Sequence, residues 1–147
     1  MDVAARAVAF GASVTCTAAL TRRCGRLGEL GPRDVPQQPP AWVFGAVWPL
    51  LYVTTGVAWA LAGARADAAL AALAFLCCAW LPAYACARAK SLAATILVAA
   101  TILAALAALT LRGASGALLA PLALWLSFAS YLNLYDVLRQ QPSPTSN

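Results

Sequence analysis

The sequence contains no histidine, and only 10% of its 147 residues are charged. Without an imidazole the chain cannot form a Ser-His-Asp or Cys-His catalytic site, a histidine–metal site or a His-ligated haem. The five acidic residues are scattered, so no paired-carboxylate site is expected; they are Asp2, Glu29, Asp34, Asp67 and Asp136. We therefore predict no metal site and no resident cofactor.

The cysteine pattern is not that of a metal or redox motif. The five cysteines are an odd number, and no Cys-x-x-Cys spacing occurs; they are Cys16, Cys24, Cys77, Cys78 and Cys86. Cys77 and Cys78 adjoin inside an apolar run. We expect all five to be reduced and to behave as small, buried apolar side chains.

Hydrophobic residues, in contrast, make up 63% of the chain, against about 45–50% in a typical soluble domain. A chain of this size cannot hide such an excess in a water-surrounded core, so the surplus must face lipid. The net charge is +5. Because the basic residues sit at the ends of apolar runs, they are expected at lipid headgroups, and no nucleic-acid partner is predicted.

Five apolar stretches follow one another, each about 18–22 residues long, close to the length that crosses a bilayer as a helix. We therefore predict an all-α integral membrane bundle of five transmembrane helices, forming one domain over residues 1–147. The predicted spans are about 3–20, 42–63, 68–87, 91–111 and 116–135. Arg6 gives the first stretch some likeness to a signal peptide, but we expect a retained helix. Short linkers make later spans antiparallel neighbours, whereas the first loop, residues 21–41, is long.

Lysine and arginine predict the orientation of the bundle. With five spans, the first and third loops share a side with the C-terminus. That side carries seven basic residues, which are Arg22, Arg23, Arg26, Arg33, Arg88, Lys90 and Arg139. The other side carries Arg6, Arg65 and Arg112. The positive-inside rule then places the long loop and the C-terminus in the cytoplasm. These residues do not distinguish one cellular membrane from another.

The predicted spans lack the marks of a pump or a selective channel. No ionisable residue lies deep in the second, third or fourth span, where ion-coupled transporters carry them. Hydroxyl and amide side chains that could line an ion pore are few. A proton-coupled transporter or an ion channel is therefore disfavoured.

Aromatic side chains are placed at helical spacing within the spans. The second span carries a stripe of three, which are Phe44, Trp48 and Tyr52. The fifth span presents a face formed by Trp125, Ala129 and Leu132, with Asn133 beside it. Packing alone can account for these residues. The alternative is an apolar pocket that receives a flat hydrophobic ligand, on which indole rings stack.

Residues 39–52 read PPAWVFGAVWPLLY. This run resembles the P-P-x-W-x-F-G-x-V-W-x-x-L-Y signature of the translocator protein (TspO/MBR) family, also called tryptophan-rich sensory protein or peripheral-type benzodiazepine receptor. Further likenesses follow in order, at Gly56, at residues 79–82 (AWLP), at Pro121 and Trp125, and at the Leu-Asn pair 132–133. They cover nearly the whole chain. Gly45 and Gly56 are expected to permit close helix approach.

The resemblance implies a five-helix bundle whose pocket opens under the first loop. Members of the family bind porphyrins such as protoporphyrin IX, sterols, and isoquinoline or benzodiazepine drugs. By position, the resemblance implies that the pocket is lined by Phe44, Val47, Trp48, Trp80, Trp125, Ala129 and Leu132. The two aromatic faces add Tyr52 and Asn133 to this set.

The sequence also departs from the family pattern. A loop tryptophan is replaced by Gln37, and an asparagine and a tryptophan of the third span by Cys77 and Cys78. Ile96 stands near the place of an acidic residue, and Val137 replaces a tryptophan. These changes remove polar anchors from the implied ligand site more than they affect the fold.

The leading hypothesis is a membrane receptor or sensor for these hydrophobic ligands. One alternative is a light-dependent porphyrin-degrading enzyme, in which Trp48 and Trp125 would be the catalytic electron donors, as the resemblance implies. The other is a transporter of tetrapyrroles or sterols.

Two weaker patterns concern sterols and self-association. Leu132, Tyr135 and Arg139 fit the L/V-x(1–5)-Y-x(1–5)-K/R sterol pattern, which also matches ordinary interfacial helix ends. Ala68 and Ala72 form a small-xxx-small pair that favours a homodimer.

Overall fold

The computed structural model describes residues 1–24 and 38–139, and within these ranges the chain is helical and has no β-strand. The helices are α1 (Val3–Thr21), α2 (Ala41–Ala62), α3 (Asp67–Ala85), α4 (Lys90–Leu111) and α5 (Gly113–Arg139). A 3-10 turn, Arg22–Cys24, extends α1, and a second, Gly63–Ala66, joins α2 to α3. The prediction of an all-α fold built from long apolar helices is confirmed.

The number of membrane-crossing segments differs from the prediction. In the described part of the chain, four continuous helical segments, not five separate ones, are long and apolar enough to cross a membrane. They are Val3–Cys24, Trp42–Ala85, Lys90–Leu111 and Gly113–Arg139. The second and third predicted spans run together because the residues between them form a 3-10 turn instead of a non-helical linker. The prediction of five separate spans is wrong on this point.

Helices α1 and α2 run antiparallel and approach closely. Gly11 of α1 lies against Tyr52 of α2, and Gly56 of α2 lies against the backbone of Ala7. A Cβ atom on Gly56 would stand 2.0 Å from the Ala7 carbonyl oxygen, so only glycine fits there. The prediction of close approach is therefore confirmed for Gly56. It is wrong for Gly45, where a Cβ would meet nothing within 4 Å.

Helices α1 and α3 run parallel, and they are joined at both ends, by an ion pair at one and by a disulfide at the other. Near their N-termini, Nε of Arg6 lies 2.7 Å from Oδ1 of Asp67, and the guanidinium makes a second bond to the same carboxylate. Beyond their C-termini, Cys24 and Cys86 form a disulfide. Since α2 is antiparallel to α1, the chain reverses direction between α2 and α3, where Gly63 has a φ of +68°.

The disulfide corrects the expectation that all five cysteines are reduced. Cys24 and Cys86 are exposed, with Cα atoms 5.0 Å apart. Cys16, Cys77 and Cys78 are free, and Cys77 is buried. A separation of 62 residues hides such a pair from sequence spacing, because only the packing of α1 beside α3 brings the two thiols together.

Helices α4 and α5 form an antiparallel pair. The hydroxyls of Thr101 and Ser130 are 2.9 Å apart across this interface. Nearer the C-terminus of α5, Nζ of Lys90 lies 2.8 Å from Oδ2 of Asp136. These two polar contacts lie at different heights along the interface between α4 and α5.

The main contacts arrange the helices in a closed ring in the order α1, α2, α5, α4, α3. We call one end of the bundle the disulfide end, which carries Cys24, the start of α2, Cys86, Lys90 and Arg139. The opposite end, with Gly63–Ala66, is called the turn end. There the indole N–H of Trp59 donates to Asp67 at 2.8 Å, so the carboxylate holds α1, α2 and α3 together.

The core consists largely of leucine and alanine, among them Leu70, Leu73, Leu122 and Leu126. Small alanines let the helices approach, and leucines fill the space between them. Many other large apolar side chains face outward, including Phe75, Leu109 and Leu124, each more than 70% exposed. Such an outer surface is suited to lipid and not to water.

Candidate ligand-binding site

Aromatic side chains gather in the half of the bundle nearer the disulfide end. Trp48 lies early in α2, Trp80 lies late in α3, and Trp125 lies near the middle of α5. The N-terminus of α2 and the C-termini of α3 and α5 lie at the disulfide end. Three predicted site tryptophans are thereby carried into the same half of the bundle on three different helices.

One group of rings bridges α2 and α5. Phe44 meets Trp125 edge to face, with ring centroids 5.4 Å apart and planes inclined at 68°. Phe128 lies 5.8 Å from Trp125 on the same helix. All three side chains are half-buried, so part of each ring remains uncovered. Tilted arrangements of this kind are favoured over face-to-face stacking.

A second group lies where α2 meets α1. The rings of Trp48 and Tyr52 are 5.7 Å apart, and the ring of Tyr52 lies 6.3 Å from Phe10 of α1. Val47 is half-buried and packs against the core beside them. The aromatic stripe of α2 thus continues onto α1 at one end and onto α5 at the other.

The third group contains the polar part of the site. Trp80 stacks on Tyr84 with centroids 5.4 Å apart. Its indole N–H donates to Oδ1 of Asn133 over a long distance of 3.4 Å. The amide of Asn133 in turn donates to the carbonyl of Ala129 at 2.9 Å. Asn133 is 9% exposed, so this amide is a polar group held inside an apolar bundle.

We call these side chains together the aromatic cluster; its members are Phe44, Trp48, Tyr52, Trp80, Tyr84, Trp125 and Phe128. Within the described residues, the Nε1 atom of Trp125 is buried and has no hydrogen-bond partner. Buried donors are nearly always paired in folded proteins. A half-buried indole with an unpaired N–H is an arrangement that a ligand with an acceptor atom can complete.

The other predicted site residues lie around the cluster. Ala129 and Leu132 are buried at 8% and 5% exposure, and both face the interior from α5. Of the sterol pattern, Leu132 is therefore inside, whereas Tyr135 is half-buried and Arg139 is exposed. The guanidinium carbon of Arg139 lies 5.2 Å from the centre of the Tyr135 ring. The three residues of the sterol pattern therefore run from the core of the bundle to its surface at the disulfide end.

Sequence reasoning did not include Phe10, Tyr84 and Phe128 among the site residues. Tyr84 follows Trp80 by four residues and Phe128 follows Trp125 by three, so helical spacing could have identified both. Phe10 carries no such signal, because its contact with Tyr52 depends on how α1 packs against α2. Gln37 lies outside the described residues.

Two further predictions can be placed on the structure. Ala68 and Ala72 are both exposed on α3, and the homodimer that they favour stays a prediction. In residues 1–24 and 38–139, no group of three or more histidine, cysteine, aspartate or glutamate side chains is arranged to hold a metal ion.

Long apolar helices, an outer surface of aliphatic side chains and a half-buried aromatic cluster together define an integral multi-pass membrane protein. The model of the TspO/MBR family matches residues 7–138, and the chain belongs to this family. No curated protein sequence matches the chain. At the level of the family, membership supports a membrane receptor or transporter related to sterols and porphyrins.

Proposed function

We propose that the protein is a membrane receptor that binds a flat hydrophobic ligand, protoporphyrin IX or a sterol, against the aromatic cluster. The observation that carries this proposal is the environment of Trp125. Its ring is half-buried between Phe44 and Phe128, and its buried N–H has no partner among the described residues. The ring offers a stacking surface and the N–H offers a directional donor.

The energetics favour a ligand that carries an acceptor atom. An unpaired buried donor costs about 1–3 kcal/mol. A carboxylate or hydroxyl oxygen of the ligand removes that cost when it accepts a hydrogen bond from Trp125. Asn133 supplies a second polar group within the apolar surroundings of Ala129 and Leu132. Few polar groups in a mostly apolar site are typical of small-molecule pockets. Isoquinoline and benzodiazepine drugs share this flat, apolar chemistry.

We also propose that the chain crosses the membrane five times as one domain. The segment Trp42–Ala85 has 44 residues, and as a straight helix it would be about 66 Å long at 1.5 Å per residue. The hydrocarbon core is about 30 Å thick. Because α2 is antiparallel to α1 whereas α3 is parallel to it, this segment folds back and makes two crossings.

The disulfide end is proposed to face the cytoplasm. Arg22, Arg23, Arg88 and Arg139 are all exposed there. At the turn end, Arg6 is buried in its pair with Asp67, which leaves Arg65 and Arg112 exposed. The surplus of exposed basic residues supports this orientation under the positive-inside rule.

The test is a titration of the purified protein in detergent with protoporphyrin IX in the dark, followed by quenching of tryptophan fluorescence. We expect saturable quenching. Trp125→Phe keeps a ring but loses the donor, so affinity should fall about tenfold, the equivalent of roughly 1.4 kcal/mol. Trp42→Phe is the matched control, because Trp42 is 72% exposed.

Equal affinity of Trp125→Phe and Trp42→Phe would contradict the assignment of Trp125. Quenching that does not saturate would contradict porphyrin binding, and a direct titration with cholesterol, followed by the same tryptophan fluorescence, then tests the sterol form of the proposal. Movement of labelled ligand across proteoliposomes would favour a transporter over a receptor.

A photo-oxidative activity is the second candidate function. It is favoured by the partial exposure of both Trp48 and Trp125, whose indoles a ligand in the cluster could reach. A light-excited porphyrin can accept one electron from an indole, which leaves an indole radical cation and a porphyrin radical anion that reacts with dioxygen. New absorbing products under light, lost in Trp48→Phe while dark binding is kept, are the expected result. Unchanged product formation in both Trp48→Phe and Trp125→Phe would contradict the photo-oxidative activity.

A further inference from the structure

The Cys24–Cys86 disulfide is placed differently from the three free cysteines. It joins the residue that ends the α1 extension to the residue that follows α3, and both members are exposed. Within α3, Cys77 is buried and Cys78 is half-buried, and Cys16 is free and exposed on α1. Cys24 and Cys86 are therefore the pair that a water-soluble reagent can reach at the disulfide end.

The pair lies in a basic environment. Arg22 and Arg23 directly precede Cys24, and Arg88 lies two residues after Cys86; all three are exposed. The acidic residue described at this end, Asp136, is in an ion pair with Lys90. Positive neighbours stabilise a cysteine thiolate, which is the reactive form. They also attract an anionic reagent by long-range electrostatics.

Orientation adds a second constraint. In the orientation proposed above, which rests on the excess of exposed basic residues, this end faces the cytoplasm. Cytosolic thiols are kept reduced, and the disulfides that do form there are usually transient or redox-sensing. A disulfide that is exposed, basic and cytosolic is thus more consistent with reversible exchange than with a permanent crosslink.

We propose that Cys24 and Cys86 form a thiol–disulfide exchange site for an anionic low-molecular-weight thiol of the glutathione class. We further propose that the oxidation state of this pair sets the ligand affinity of the aromatic cluster. This second part rests on the proposed ligand-binding function.

The exchange balances without any further reactant. The thiolate of one cysteine attacks the small disulfide, forms a mixed disulfide and expels one small thiolate. The thiolate of the second cysteine then attacks the protein sulfur, closes the Cys24–Cys86 bond and expels the second small thiolate. Two protein thiols are oxidised and one small disulfide is reduced to two thiols; the two cysteine protons are released to water or to those thiolates.

A short series of contacts connects the pair to the site. Cys86 follows Tyr84 by two residues, Tyr84 stacks on Trp80, and Trp80 donates to Asn133. The disulfide therefore holds the last turn of α3, which carries Tyr84, against the end of α1. Reduction releases this end of α3, while the Arg6–Asp67 pair still joins the two helices at the turn end.

The exchange part is tested on the purified full chain, equilibrated with reduced and oxidised glutathione at ratios covering several orders of magnitude. Free thiols are alkylated after acid quenching, and peptides containing Cys24 and Cys86 are measured by mass spectrometry. We expect both to convert together at an intermediate ratio. Cys16→Ser is the matched control and should leave that ratio unchanged. A pair that stays oxidised, or stays reduced, at every ratio would overturn the exchange site.

The coupling part compares dark protoporphyrin IX binding to the oxidised and the reduced protein. We expect at least fivefold tighter binding to the oxidised form, within the usual range of coupling between sites. The double variant Cys24→Ser/Cys86→Ser should bind like the reduced protein with or without oxidant. By linkage, saturating ligand must shift, by the same factor, the half-oxidation value of the squared concentration of reduced glutathione divided by the concentration of oxidised glutathione.

Equal affinities in the two states would overturn the coupling. Absence of binding in both states would contradict both the coupling and the proposed function, whereas the alkylation result decides the exchange site independently. A folded double variant, judged by its circular dichroism, excludes loss of structure as the cause of weaker binding.

Discussion

Substitution of Gly56 by alanine is predicted to separate α1 from α2. The added Cβ would lie 2.0 Å from the Ala7 carbonyl oxygen, and ordinary contact begins at 3.4 Å. The helices must therefore shift by about 1.4 Å at this point, against an atom of backbone that cannot rotate away. Overpacking of this kind destabilises by about 1–3 kcal/mol.

Gly45→Ala is the matched control within the same helix. A Cβ at Gly45 meets nothing within 4 Å, so the substitution should gain up to about 1 kcal/mol of helix propensity. The free energies of unfolding of the two variants should therefore differ by about 1–4 kcal/mol, with Gly56→Ala the less stable.

The assay is reversible unfolding in mixed detergent and dodecyl sulfate micelles, followed by far-ultraviolet circular dichroism. A Gly56→Ala protein as stable as Gly45→Ala would refute the close approach of α1 and α2. The same result would also argue against the contact between α1 and Tyr52, because that contact depends on the same close packing of α1 and α2.

Two other predictions concern polar contacts away from the cluster. Trp59→Phe keeps the ring but removes the 2.8 Å hydrogen bond to Asp67, so stability should fall by about 1 kcal/mol in the same assay; an unchanged midpoint would contradict the contact. A double-mutant cycle with Thr101→Val and Ser130→Ala should give a coupling of about 0.6 kcal/mol, as for other interhelical hydrogen bonds in membranes. A coupling of zero would show that the 2.9 Å contact is not formed.

Hydropathy was sufficient to predict the helical fold because a span must satisfy its own backbone hydrogen bonds in lipid. It was not sufficient to predict how the chain connects α2 to α3. The segment 63–66 is short and largely apolar, and nothing in its composition distinguishes a 3-10 turn from a non-helical linker. Glycine positions were similarly insufficient to predict helix contacts. Gly45 and Gly56 look alike in sequence, but only Gly56 meets another helix.

From local patterns alone, without the family resemblance, the candidate site was predictable only along single helices. Helical spacing aligned Phe44 with Trp48 and Trp125 with Ala129, but the contact between Phe44 and Trp125 depends on α2 packing beside α5. The disulfide depends in the same way on α1 packing beside α3. Contacts between helices far apart in sequence follow from the order of the ring, which no local pattern specifies.

Photochemical footprinting tests most directly whether the aromatic cluster is the ligand site. Purified protein is illuminated briefly with protoporphyrin IX at a concentration near saturation, and oxidised tryptophans are located by peptide mass spectrometry. Oxidation should appear first at Trp125 and Trp48, and a non-photosensitising competitor should suppress it. Earliest oxidation at the exposed Trp42, with Trp125 and Trp48 spared, would contradict binding at the cluster.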